Sequence, residues 1–360
     1  MAPSLFILTL VALALAGLAV LMWMALLVYR ILDNRRRDRR EKLSDEWLTL
    51  LLPVLEGEVE LSTLPKPRGR EEMETVLGLL RELADRFRGQ YREDLVSILD
   101  HIGAEEYGLR LLGRHRPEPK LRGCALLAWS GPSSRADERL LKMLSDSHHH
   151  VRLEAAHALA RRNPEGITVE TVITPLRGTP ALNSDRTRDI VRLLAPGKGH
   201  ELGNLLAISR NSRERVLLLD GIAKAGDLTQ ADVVAWQLAD RDSKVRAGAV
   251  STLEKLSDPH HIQNVAGLVS DPSNKVRLAV AKYAAAMMGE LTALAMLEQL
   301  ASDPDFDVQR TAVYGLADWG GPSWDNLART APRDSLLLSL LKEASSVKNR
   351  YLDLYELPTV

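Results

Sequence analysis

The chain has 360 residues, with 47 Lys and Arg against 48 Asp and Glu and a formal net charge of −1. That balance argues against a nucleic-acid partner, which would call for a basic excess or a concentrated basic face. Hydrophobic residues make up 45% and aromatics only 4%; Leu and Ala dominate, no stretch alternates with period two, and the fold class expected is all-α. The one cysteine, Cys124, leaves no intramolecular disulfide and fits a reducing compartment.

From Leu5 to Val28 only Thr9 and Gly17 interrupt an uncharged apolar run. As a helix it would reach about 36 Å, longer than a hydrocarbon core of about 30 Å. It is apolar all round, unlike a helix that packs one face on a core. No basic n-region precedes it and the run exceeds a signal-peptide core, so an uncleaved anchor is expected over 1–32. Basic residues follow it, including Arg35, Arg36, Arg37, Arg39 and Arg40. The positive-inside rule then puts the N-terminus outside and everything after the span in the cytoplasm, at a bacterial inner membrane. The Arg cluster is first a topology signal and second a site for anionic lipid head groups. Trp23 and Tyr29 suit the interfacial belt.

Residues 33–70 read as a basic juxtamembrane segment and linker. Within it Trp47, Leu48, Leu51 and Leu52 form an apolar face ending near Pro53, before a breaker-rich loop from Leu61 to Gly69. Helical spacing resumes from Glu71, with Met73, Leu77, Leu80 and Leu83 on one face.

Internal repeats then dominate, over 71–331. Aligned on a first apolar position, good copies start at Val151, Val245, Val276 and Val308, and weaker ones at Tyr91, Leu121, Thr187 and Glu214. Successive anchors lie 30, 30, 36, 27, 31, 31 and 32 positions apart. Each unit reads as two short helices. Asp, often as Asp-Pro, precedes the second helix, where Asp would cap it and Pro would occupy its first position. The second helix carries apolar residues at steps 0, 4, 5 and 8, one face of a helix, with small residues at 4 and 5 for close approach. Such a pair cannot bury its face alone, so the units stack into a solenoid. Residues 332–360 complete the chain as a capping helix and tail.

The recurring Asp-x4-Val-Arg-x2-Ala pattern resembles the HEAT-repeat family, in its short variants of about 30 residues. The resemblance implies an α-α superhelical solenoid behind the anchor, with a ladder between stacked units made of the Asp and the Arg six positions on. The residues concerned are Asp146 with Arg152, Asp240 with Arg246, and Asp271 with Arg277. Asp303 departs from the pattern, because Gln309 stands where Arg is expected; Arg92, Arg122, Arg188 and Arg215 keep the Arg position without the Asp.

No catalytic or metal-binding constellation emerges. His148, His149 and His150 are consecutive in an inter-helix turn, and adjacent residues do not converge on one ion; His260-His261 is a similar case. The single His200-Glu201 pair falls short of the several that a di-iron HEAT-like hydroxylase needs. Cys124 sits in a core-like helical stripe. The second helices should line the binding surface, where steps 3 and 6 carry a mixed, small-residue set suited to protein contact. Partner-binding candidates are His157, Lys282 and Tyr314. The function expected is a membrane-anchored cytoplasmic scaffold binding membrane-associated proteins, without cofactor, metal, nucleic acid or enzymatic activity. The alternatives are an enzyme related to short-HEAT-repeat lyases, or a small-ligand sensor.

Overall fold

The computed structural model describes residues 3–86, 92–332 and 335–347; side chains are described throughout these except at 3–16, 19, 25, 31–40, 84–86, 92 and 183. Every regular element among the described residues is helical. The chain divides into two compact units, Met1–Gly108 with Trp129–Gly131, and Leu109–Ala128 with Pro132–Val360.

The first unit opens with α1 (Pro3–Leu55), one helix that runs through the expected boundary between anchor and linker. It passes Pro53, where one backbone hydrogen bond is lost, and the chain turns at Gly57, whose φ of 75° lies in the left-handed region. Among the described residues no helix is long and apolar enough to cross a membrane. The first half of the 5–28 run, and Arg35, Arg36, Arg37, Arg39 and Arg40, fall where side chains are outside the described set. Near its end α1 buries Trp47, Leu51 and Leu55, a stripe at four-residue spacing, while Leu48 is exposed. It packs on α2 (Gly69–Arg86), which buries Met73, Val76, Leu79, Leu80 and Leu83. Trp47 Nε1 donates to Glu72 across this pair at 3.1 Å. Helix α3 (Arg92–His101) follows, then the first part of α4 (Ala104–Leu112), whose residues from Leu109 on belong to the second unit; His101 ties back to the Leu64 carbonyl at 2.8 Å. The expected anchor Tyr91 lies outside the described residues.

The second unit holds α5 (Pro117–Leu127), α6 (Ser134–Met143), α7 (His149–Arg162), α8 (Val169–Ile173), α9 (Asp185–Leu194), α10 (Gly199–Ile208), α11 (Ser212–Ala225) and α12 (Ala231–Ala235). It continues with α13 (Ser243–Lys255), α14 (Ile262–Ala266), α15 (Asn274–Ala286), α16 (Leu291–Leu300), α17 (Phe306–Trp319), α18 (Gly321–Thr330) and α19 (Leu336–Val347). The second helices α5, α7, α9, α11, α13, α15 and α17 pack in series, and α19 closes on α17. The first helices make another layer, α8 against α10, α10 against α12, and α14 against α16. Steps 0, 4, 5 and 8 are buried in each strong copy: Val151, Ala155, Ala156 and Leu159; Val245, Ala249, Val250 and Leu253; and likewise from Val276 and Val308. Small residues bring neighbouring helices close. A Cβ on Gly221 of α11 would stand 2.6 Å from Val191 Cγ1 of α9.

Two expectations change. Thr187 is not the first apolar position of its unit: α9 buries Thr187, Ile190, Val191 and Leu194, at steps 0, 3, 4 and 7. The frame therefore starts at Arg186, and Thr187 takes the place that Arg246 holds in α13. The Asp before each second helix is not its cap, because the helices begin three residues after Asp146, Asp240, Asp271 and Asp303. Asp242 caps α13 through the Lys244 N–H, and Asp305 caps α17 through the Asp307 and Val308 N–H groups. Pro272 and Pro304 precede α15 and α17 rather than opening them. That Asp side chain is thereby left for the Arg of the unit before it.

Candidate functional site

The ladder runs forward from each unit to the next. Arg246 donates from Nε and Nη2 to the two oxygens of Asp271, both at 2.8 Å. Arg277 does the same to Asp303, at 2.6 and 2.9 Å. Planar guanidinium against carboxylate is the two-pronged pairing that Arg makes and Lys cannot. The third nitrogen holds the home unit: Arg246 Nη1 donates to the Asp240 carbonyl at 2.8 Å and Arg277 Nη1 to the Asp271 carbonyl at 2.9 Å. So Asp240 and Arg246, or Asp271 and Arg277, meet through the backbone, while the carboxylates pair with the Arg of the preceding unit. Each carboxylate also accepts an N–H two residues on, such as Ser273 for Asp271 at 2.9 Å. Burial works to raise the Asp271 pKa, but Arg246, the Ser273 N–H and the charge of Arg277 outweigh it and hold it below the usual range.

Arg215, which lacks an Asp of its own, completes this series by pairing with Asp240 at 3.0 Å. Earlier, Lys120 rather than Arg122 reaches Asp146, at 2.6 Å. The ladder then breaks. Arg152 holds its home carbonyl at Asp146 but finds the Pro175 carbonyl in the next unit, at 3.0 Å. Thr187 there has no cation to offer; its hydroxyl bonds within its own unit, to the Ala181 carbonyl at 2.7 Å and the Ser184 hydroxyl at 3.2 Å. At the far end Gln309 likewise donates to the Ala301 carbonyl at 3.0 Å.

The first helices are braced differently. Glu201 of α10 accepts the Val169 and Glu170 N–H groups at the start of α8, at 2.6 and 3.2 Å, which gives Glu201 a structural role. His261 lies between Asp258 at 2.6 Å and Asp232 at 3.1 Å. His148 contacts Asp146, and the His149 and His150 rings stack on each other. Among the described residues no group of three or more His, Cys, Asp or Glu could hold a metal ion. Cys124 is fully buried and its thiol pushed up to about 12, first by desolvation.

The three partner-binding candidates occupy one step of three second helices, in different surroundings. Lys282 on α15 is exposed. His157 on α7 is half-buried, its Nδ1 buried without a hydrogen-bond partner. Burial first, and then Arg186 and Arg161, lower its pKa to about 4, so the ring is neutral at pH 7. Tyr314 on α17 is already engaged: its hydroxyl donates to Glu343 of α19 at 2.8 Å, and Arg310 lies over its ring while pairing with Glu343.

A further row was missed because steps 3 and 6 alone were considered. One position before the buried anchors stand Arg213, Lys244 and Lys275, all exposed on α11, α13 and α15. Their spacing of 31 positions was visible in the sequence. No curated protein matches the chain. Residues 207–329, the stretch that carries the Arg215, Arg246 and Arg277 rungs, match a family model described as HEAT repeats, and over that stretch the chain is similar to HEAT-repeat proteins.

Proposed function

We propose that the chain is a membrane-anchored scaffold whose helical repeats bind partner proteins on the cytoplasmic side. The observation that carries the anchor is in α1: from Leu18 to Tyr29 its described large apolar side chains are 42% to 68% exposed, on all sides of the helix. At about 25 cal/mol per Å² of apolar surface, so much uncovered area calls for a lipid or protein cover. The run it belongs to, Leu5 to Val28, is uncharged and ends at Arg30. The stacked second helices support the binding role, because serial packing lines up equivalent side chains into rows that a partner can follow.

The test uses the full-length chain in cells. The protein should remain in the membrane pellet after alkaline extraction, and a reporter fused after Val360 should be active in the cytoplasm. A photo-crosslinking residue in place of Lys282, or of Ser251 at the same step of α13, should give shared, discrete protein adducts. Release from the pellet, or a reporter active only outside, would remove the anchor; adducts to lipid alone would remove the scaffold.

A further inference from the structure

The rows on α11, α13 and α15 fit one partner chemistry. Arg213, Lys244 and Lys275 are exposed, and among the described residues none of them is paired with a carboxylate. Stacked helices lie about 8–10 Å apart, so the three cations repeat at about the length of three residues of extended chain. One turn further along each helix come Val216, Ala247 and Leu278, all partly exposed. These form a small apolar strip between the first basic row and a second basic patch, where Lys255 and Lys282 are both exposed.

Of the acids nearby, Asp242 beside Lys244 is turned to cap α13, accepting the Lys244 N–H at 2.9 Å. Asp220 is held by Arg192 through two contacts, at 2.6 and 2.8 Å. Glu254 is half-buried; its burial raises its pKa, against the pull of Lys282 and Lys255. The row is also bounded. The equivalent position is Asp307 in α17 and Asp185 in α9. The basic face thus covers three helices and ends in acids on both sides, although the whole chain has a net charge of −1.

Resting on the scaffold function above, we propose that α11, α13 and α15 form a docking surface for an acidic polypeptide segment with interspersed apolar residues. Its carboxylates meet Arg213, Lys244 and Lys275 and its apolar side chains cover Val216, Ala247 and Leu278. At the α17 end Asp307 repels an overhanging acid; at the α9 end Asp185 is already paired with Arg188 at 2.6 Å. Charge complementarity of this kind chiefly sets encounter rate and specificity, so binding is salt-sensitive.

The experiment measures fluorescence anisotropy of a labelled 15-residue peptide with Asp or Glu at every third position and Leu, Val or Ser between them, against the full chain in nonionic detergent. A micromolar Kd at about 50 mM salt, weakening as salt rises, is expected. Combined Lys244→Glu and Lys275→Glu should weaken it at least about tenfold, and the paired Gln variants by less. Lys142→Glu, exposed on α6, should change nothing. Unchanged melting verifies that the variants are folded. No peptide binding, binding indifferent to the paired variants, or equally tight binding of a 20-nucleotide single strand or of phosphatidylglycerol vesicles would overturn the proposal. If the peptide fails while the protein adducts at Ser251 and Lys282 persist, this surface assignment falls and the scaffold stands.

Discussion

Replacing Arg246 by Ala tests the forward ladder. The substitution removes both contacts to Asp271 and those to the Asp240 and Arg241 carbonyls. The Asp271 side chain is only 4% exposed, and it would keep the Ser273 N–H and the more distant charge of Arg277. A nearly buried carboxylate stripped of its partner costs about 3–5 kcal/mol; the remaining N–H and nearby cation put the expected loss near the lower figure, about 3 kcal/mol. Asp271→Ala should cost less, about 2 kcal/mol, because Arg246 keeps two carbonyl acceptors. The two losses should fall short of additivity by about 2 kcal/mol in a double-mutant cycle. Arg152→Ala is the internal comparison. It donates only to the carbonyls of Asp146, Ser147 and Pro175, strands no carboxylate, and should cost about 1 kcal/mol. Urea unfolding followed by circular dichroism gives the totals, and hydrogen exchange should localise the loss to α13 and α15. An Arg246→Ala effect within about 0.5 kcal/mol of the parent, or equal to that of Arg152→Ala, would refute the forward pairing.

The His157 ring is held neutral in the fold down to about pH 4, whereas an unfolded His takes a proton near 6.5. Stability should therefore fall as pH drops from about 6.5 to 4, and His157→Leu should flatten that limb in pH-dependent melting. Gly221→Ala should destabilise by about 1–3 kcal/mol, because its Cβ meets Val191; melting that rises instead would mean that α9 and α11 separate freely. Tyr283, fully buried, donates its hydroxyl to the Asp258 carbonyl at 2.6 Å. Tyr283→Phe should cost about 1–2 kcal/mol, read from urea midpoints, and an unchanged midpoint would mean that the bond adds nothing net.

The beat of the second helices was legible because burial on a helix imposes its own period: Val245, Val276 and Val308 mark buried frames as the spacing implies. The partners of the ladder were not legible. A repeat pattern says which residues share a face but not which neighbour completes them, so Arg246 was grouped with Asp240, six positions back, while its carboxylate lies 25 positions ahead. For the same reason Arg215 looked incomplete, though Asp240 serves it, and Lys120 went unnoticed. The α9 frame slipped by one because Thr187 is buried and polar, in place of a long cation. Tyr314 was named a partner-binding candidate because nothing in a local pattern foretells that Glu343 of α19 reaches it.

The division of labour within each guanidinium bears on how such an array can change its length. Arg246 and Arg277 face the same two things, a carbonyl at home and a carboxylate ahead, and Val245 and Val276 are 31 positions apart. Excision of residues 246–276 would place Arg277 directly after Val245. Arg277 would then take the Asp240 carbonyl at home and keep Asp303 ahead, and Asp240 would keep Arg215. No rung would lose a partner. A tandem duplication of the same block would add one complete rung by the same rule. Copy number between α11 and α17 can therefore change without unpairing a rung, although excision would also remove the Asp258 carbonyl that accepts from Tyr283 and the Thr252 hydroxyl that donates to the Leu219 carbonyl. Between α7 and α9, where Arg152 meets the Pro175 carbonyl and Thr187 offers no cation, the joint is specific to its two neighbours, and the array cannot be cut or copied there in the same way.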